Sequence, residues 1–137
     1  MVLQNSLDAL RRSGVILFPS DTVLGLGCDA TNQDAVNTMF LIKNRPQNKS
    51  LIALVEDMEM LITYVESIPQ SVYGILKGNS SPTTIVYPKA KEIAPMAMAE
   101  DGSMAFRIPK SGFALDLVKS FGKPIIATSA NLSGEPI

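Results

Sequence analysis

Between positions 35 and 55 the chain carries no aspartate or glutamate, and within that window stand Lys43, Arg45 and Lys49. Residues i and i+2 do not share a helix face, so Lys43 and Arg45 converge on one ligand only where a helix has ended. Pro46 supplies that ending, because the residue before a proline disfavours helical geometry. A lysine brings a mobile point charge and an arginine a bidentate fork, and the two together suit a phosphate or a carboxylate. A solvated basic loop is the plainer reading of the same residues.

Two further groups could meet a polar ligand. The run ATSANLSG at 127–134 follows an apolar stretch, and its Thr128, Ser129, Asn131 and Ser133 can both donate and accept hydrogen bonds. Ligands of open α/β sheets sit beyond the C-terminal ends of strands. The same residue types also make turns and helix caps. Arg107 stands in FRIP, inside an otherwise apolar run. A charge there is costly to bury unpaired. It either faces water at a strand edge or aims its fork at a bound carboxylate.

The inventory removes several kinds of chemistry. The chain has no histidine and one cysteine, Cys28. That excludes a Cys–His nucleophile pair, a Ser–His–Asp triad and a zinc finger. Carboxylates, Lys and Arg, hydroxyls, amides, backbone groups and hard metal ions remain. GLGCDA at 25–30 has the glycine spacing of a dinucleotide-binding turn. That motif needs a strand directly before it and an acid about 20 residues later. Positions 47–50 are Gln, Asn, Lys and Ser, so the fingerprint fails at its most diagnostic place. Gly25 and Gly27 are expected instead to allow a bulge or a close backbone approach.

The elements that position these residues follow from periodicity. Leu3, Leu7 and Leu10 predict a helix over 3–12 that stops by Gly14. VILF at 15–18 reads as a buried strand, broken by Pro19, Ser20, Asp21 and Thr22. The stretch from Gly14 to Ala30 therefore begins as a strand and is not expected to end as one. Asn32 or Thr31 can cap a second helix bearing Ala35, Val36, Met39 and Phe40 inward. Strands are expected at 51–55, 83–87, 104–108 and 124–129, and helices at 57–65, 69–77 and 112–121, the last closed by Gly122. Strands alternating with helices give an α/β or α+β layered domain.

Composition agrees. With 137 residues, 46% hydrophobic and 18% charged, the chain fits one globular domain. Its net charge of −1 sets up no whole-molecule field to draw in nucleic acid. The apolar runs are too short to span a bilayer, and Arg11 and Arg12 follow the first apolar positions, unlike a secretion signal. The expected location is cytoplasmic, with no membrane partner.

Taken in order, FPSDTVLGLGCDA, IKNRP with KSLIALV, SPTTIVYP, FRIP and TSANLSGEP resemble the YrdC-like, or threonylcarbamoyl-AMP synthase, family from about Gly14 to Pro136. The resemblance implies a twisted mixed sheet flanked by helices around a concave, positively charged cleft. It implies that L-threonine, bicarbonate and ATP, with Mg²⁺, give threonylcarbamoyl-adenylate and pyrophosphate. This is the first stage of the t6A modification of tRNA, with a t6A transfer complex acting downstream. It assigns Lys43 and Arg45 to catalysis, and the same two with Ser129 and Asn131 to the nucleotide. It sets Ser20, Lys49 and Arg107 around the threonine. Leu24 departs from a usual aromatic residue, Ser50 from a usual proline, and NSSPTT from a Pro-Gly-Pro type run. Family domains usually continue past the position of Ile137, so the expectation is a single domain over 1–137 without the last C-terminal segment. Two other functions fit the same resemblance. One is a non-catalytic module binding double-stranded RNA or tRNA. The other is carbamoyl-adenylate chemistry of the hydrogenase-maturation kind, disfavoured by the absence of zinc-finger cysteines and accessory domains.

Overall fold

A computed structural model of the chain describes residues 2–19, 24–43, 51–78 and 83–129. Helix α1 (Val2–Arg11) turns Leu7 and Leu10 inward. Strand β1 (Ile16–Pro19) then pairs antiparallel with β2 (Leu24–Asp29), Phe18 opposite Gly25 and Ile16 opposite Gly27. The stretch that begins as a strand thus also ends as one, contrary to expectation. The reason is steric. A Cβ on Gly27 would lie 2.7 Å from the Phe18 ring and 3.1 Å from the Ile126 carbonyl oxygen. On Gly25 it would lie 3.3 Å from the Thr128 carbonyl oxygen. Glycines that weaken β propensity are here the space into which an aromatic ring settles. The expected close backbone approach is present, and the glycines lie within a strand rather than in a turn that opens a helix.

Helix α2 (Gln33–Lys43) starts at Asn32, whose Oδ1 accepts from the Ala35 N–H at 3.1 Å. The Asn32 amide also donates to Ser13 Oγ at 2.6 Å, tying the helix start to the turn after α1. Ala35, Val36, Met39 and Phe40 are all buried, as their spacing predicts. Then come β3 (Ile52–Leu54), α3 (Met58–Tyr64), α4 (Gln70–Gly78) and β4 (Thr84–Tyr87). Asp57 caps α3 by accepting from the Met60 N–H at 2.9 Å. A short 3-10 turn at Pro95–Ala97, unforeseen in the sequence, precedes β5 (Met104–Arg107). Helix α5 (Phe113–Phe121) ends at Gly122, which takes the left-handed conformation at φ 80° and donates its N–H to Val118. Strand β6 (Ile125–Ser129) follows.

The six strands form one mixed sheet in the order β1-β2-β6-β3-β5-β4, antiparallel throughout except for β3 beside β5. Its two faces are unequal. On one, Cys28, Ala53, Met104, Phe106, Tyr87 and Ile126 join the main core with α2, α3 and α4. Tyr87 and Phe106 meet edge to face there at 5.8 Å. On the other, Leu7, Leu10, Ala114, Leu117 and Val118 from α1 and α5 cover Ile16, Phe18, Leu54 and Ile125. These two helices do not reach the rest of that face. Ile52 remains 36% exposed and Val86 66% exposed, with Thr84 exposed and Ala105 and Arg107 half-buried beside them.

Candidate functional site

The strand directions decide which residues can meet. Strands β1 and β6 run one way, and β2 and β3 run back. Pro19, Leu24, Ser129 and the start of β3 therefore share one edge of the sheet. Helix α2 begins after Asp29 at the opposite edge. Its 11 residues span about 16 Å, which returns Lys43 toward the edge where β3 begins. The backbone thus brings the ends of α2 and β6 to the same side of the molecule. Ser20, Arg45, Lys49, Asn131 and Ser133 lie outside the described residues, as do the side chains of Lys43 and Ser129.

Of the candidates, Arg107 and Thr128 have side chains among the described residues, and Arg107 is the charged one. It ends β5, with Leu54 on one side and Thr84 on the other. Strand β5 lies between β3 and β4, so this is not a sheet-edge arginine facing water. Alternation along β5 buries Met104 and Phe106 on the main-core side and leaves Ala105 and Arg107 half-buried on the open face. Leu54 pairs with both Arg107 and Ile125, so Arg107 lies two strands across from Ser129 and four positions further along. Four strand positions correspond to about 13 Å. The open face between them forms a floor of Ile52, Ala105, Val86 and Ala127, which occupy one register row across four strands. Sequence reasoning did not single these floor residues out. A signal was present: Ile52 and Val86 alternate with the buried Ala53 and Tyr87.

Among the described residues, the buried Asp29 and Cys28 serve the fold. Asp29 is buried, and its Oδ1 accepts from the Thr31 N–H at 2.9 Å and from the Thr31 hydroxyl at 2.7 Å. Lys123 approaches its other oxygen at 3.8 Å. Burial, and secondarily the charge of Asp29, pushes the Cys28 thiol up to about 12. A thiol so held stays protonated and is packing rather than nucleophile. Burial likewise raises Tyr64 and Tyr87. Among the described residues no cluster of three His, Cys, Asp or Glu could hold a metal ion. Nor is any helix among them long and apolar enough to cross a membrane.

Against known proteins, the profile of the Sua5/YciO/YrdC family, described as telomere recombination, matches residues 8–137. The chain is 34% identical over 132 residues to the threonylcarbamoyl-AMP synthase of Serratia proteamaculans, covering 94% of this chain and 70% of the relative. It is 34% identical over 137 residues to that of Vibrio cholerae, covering 98% of this chain and 73% of the relative. Sua5 of P. abyssi complexed with L-threonine superposes with a TM-score of 0.91 at 31% identity, covering 98% of this chain and 40% of that longer one. E. coli YciO, at 24% identity and a TM-score of 0.83, shows the shared fold, with 98% of this chain and 66% of that chain covered.

Proposed function

The chain belongs to the Sua5/YciO/YrdC family, and from that premise we propose that it is a threonylcarbamoyl-AMP synthase acting on L-threonine, bicarbonate and ATP. The observation that carries this is the 34% identity to curated synthases over at least 94% of the chain. That likeness favours synthesis over the RNA-binding alternative. The amine of threonine adds to bicarbonate with loss of water, giving a carbamate. A carbamate oxygen then attacks the α-phosphorus of ATP, forming the P–O bond while pyrophosphate leaves. Positioning and charge neutralisation dominate such displacements. Lys43 and Arg45 balance the triphosphate and the charge that develops on it, and Ser129 and Asn131 hold the nucleotide. The threonine lies on the open floor between the fork of Arg107 and the sheet edge where β1 ends and β3 begins, with Ser20 and Lys49 assigned to it by the family resemblance alone. The separation between Ser129 and Arg107 suits an elongated, two-part ligand.

No histidine base is needed, because the carbamate is already an anion. Mg²⁺ arrives with ATP as part of the substrate, held through phosphates and few protein carboxylates. That fits an open face whose described residues, Ile52, Ala105, Val86, Ala127, Thr84 and Arg107, hold no carboxylate. On this reading the product passes to a t6A transfer complex acting on tRNA in the cytoplasm. The test is pyrophosphate release by this chain, which should require both threonine and bicarbonate. Release should fall at least a hundredfold in Lys43→Ala, the scale of losing a group that stabilises transition-state charge. Release that persists without threonine, or that Lys43→Ala leaves unchanged, would sink the proposal.

A further inference from the structure

A second concavity lies away from the open floor. Strands β3 and β5, the parallel pair, end together at Leu54 and Arg107, and antiparallel β4 begins beside them at Thr84. Strand β6 runs against β3, so Ser129 stands at the other edge of the sheet. Beyond the ends of β3 and β5, a cavity of about 540 Å³ opens between α3, α4 and the segment after β5. Ligands of α/β sheets sit beyond the ends of parallel strands, and small-molecule sites hold roughly 300–1,000 Å³. Strand alternation separates this cavity from the open floor. Arg107 faces that floor, whereas Ile108, the next residue, turns to the main-core side and lines the cavity.

The lining is of two kinds. Met58, Leu76 and Ile108 are half-buried against the main core, and Tyr73 stands with them, 40% exposed. Lys77 and Lys110, both exposed, stand at the rim, and among the described residues neither forms an ion pair. The carboxylate of the lining, Asp57, is engaged as the α3 cap through its bond from the Met60 N–H. From this juxtaposition we propose that the cavity binds a small amphipathic carboxylate. Its aliphatic body lies on Met58, Leu76, Ile108 and Tyr73, and its carboxylate lies between Lys77 and Lys110. Charge complementarity selects the occupant. A neutral apolar molecule leaves both ammonium groups unanswered, and a cation is repelled by them. A flexible chain suits a wall that contains methionine, whose unbranched thioether adapts to irregular shapes. The site uses none of the residues assigned to the nucleotide or to threonine, so it stands apart from the synthase reading.

The probe is decanoate, with decanol and decyltrimethylammonium as its neutral and cationic counterparts. Each is titrated into the full chain carrying ¹³C-methyl methionine, with the Met58 signal identified through Met58→Leu. Decanoate should shift the Met58 methyl and leave that of Met104, which is fully buried in the core, in place. Lys77→Ala and Lys110→Ala should each weaken decanoate about threefold, the scale of a solvent-exposed ion pair, and the double variant about tenfold. Decanol should bind these variants as it binds the native chain. Both lysines are exposed, so their removal keeps the fold. Tyr73→Ser should weaken decanoate and decanol alike. Lys43→Ala should bind decanoate as the native chain does, because Lys43 ends α2 toward the other edge of the sheet. The inference falls if Met58 does not shift, if decanol or the cation binds as tightly as decanoate, or if the double lysine variant keeps native affinity. Loss of decanoate in Lys43→Ala would put the anion in the basic window of 35–55 instead, and overturns it equally.

Discussion

Gly27 lies under the ring of Phe18, and Phe18 is only 1% exposed. The ring cannot swing into solvent to make room, and the next nearest obstacle is a backbone oxygen. Gly27→Ala should therefore destabilise the fold by about 1–3 kcal/mol, the usual cost of overpacking a filled core. Gly25→Ala meets a backbone oxygen at 3.3 Å and the ring only at 3.7 Å, so its cost should be smaller. Urea denaturation of the two variants checks the order. Equal midpoints, or a more stable Gly27→Ala, would show that the ring does not set the spacing. At this scale the sequence was informative about chemical type and silent about contact. The alternating glycines were readable as a place of close approach. The partner, a phenylalanine on the neighbouring strand, was not, because nothing local names the ring across a hairpin.

Among the elements, α2 carries the most consequence for the proposed site, since it ends at Lys43, a residue of the proposed nucleotide site. Its start is fixed twice, by the Asn32 cap on Ala35 and by the Asn32 bond to Ser13. Ser13 itself sits at φ 64°, a left-handed turn that closes α1. Asn32→Ala removes both bonds and should cost about 1 kcal/mol from the cap alone. Asn32→Asp keeps an acceptor for the cap and should retain most of that stability. Chemical denaturation of the pair separates the two outcomes, and an alanine variant as stable as the aspartate would overturn the capping account. Helices of this kind were legible because cap, stripe and stop are all local: Asn32, the Ala35–Phe40 stripe and Gly122 each stand where the sequence suggests. Strand β2 was less legible, because two glycines within six residues erase the apolar alternation that marks a strand. The short turn at Pro95–Ala97 carries no period at all.

Across the whole molecule, the sheet order was beyond reach of periodicity. Residues 25–29 pair with 125–129, and β3 pairs with β5 over an interval that holds two helices and another strand. Local pattern shows that a strand exists and not which strand it joins. The consequence for the site is large, because only the register reveals that α1 and α5 leave Ile52, Ala105, Val86 and Arg107 on an open face. The same whole-molecule view bears on nucleic acid. Twelve basic side chains face thirteen acidic ones, so attraction to RNA must come from a local cluster. The acid-free window offers Lys43, Arg45 and Lys49. If all three met phosphates, the slope of log affinity against log salt would be about −2.7, from the duplex coefficient of about −0.9 per contact. Binding of double-stranded RNA measured from 50 to 300 mM salt should accordingly be weak and no steeper than about −3. Tight binding with a slope well beyond that value would require a larger basic surface and would restore the RNA-binding reading. A shallow slope that vanishes when Lys43 and Arg45 are occupied by ATP would tie the residual RNA contact to the nucleotide site.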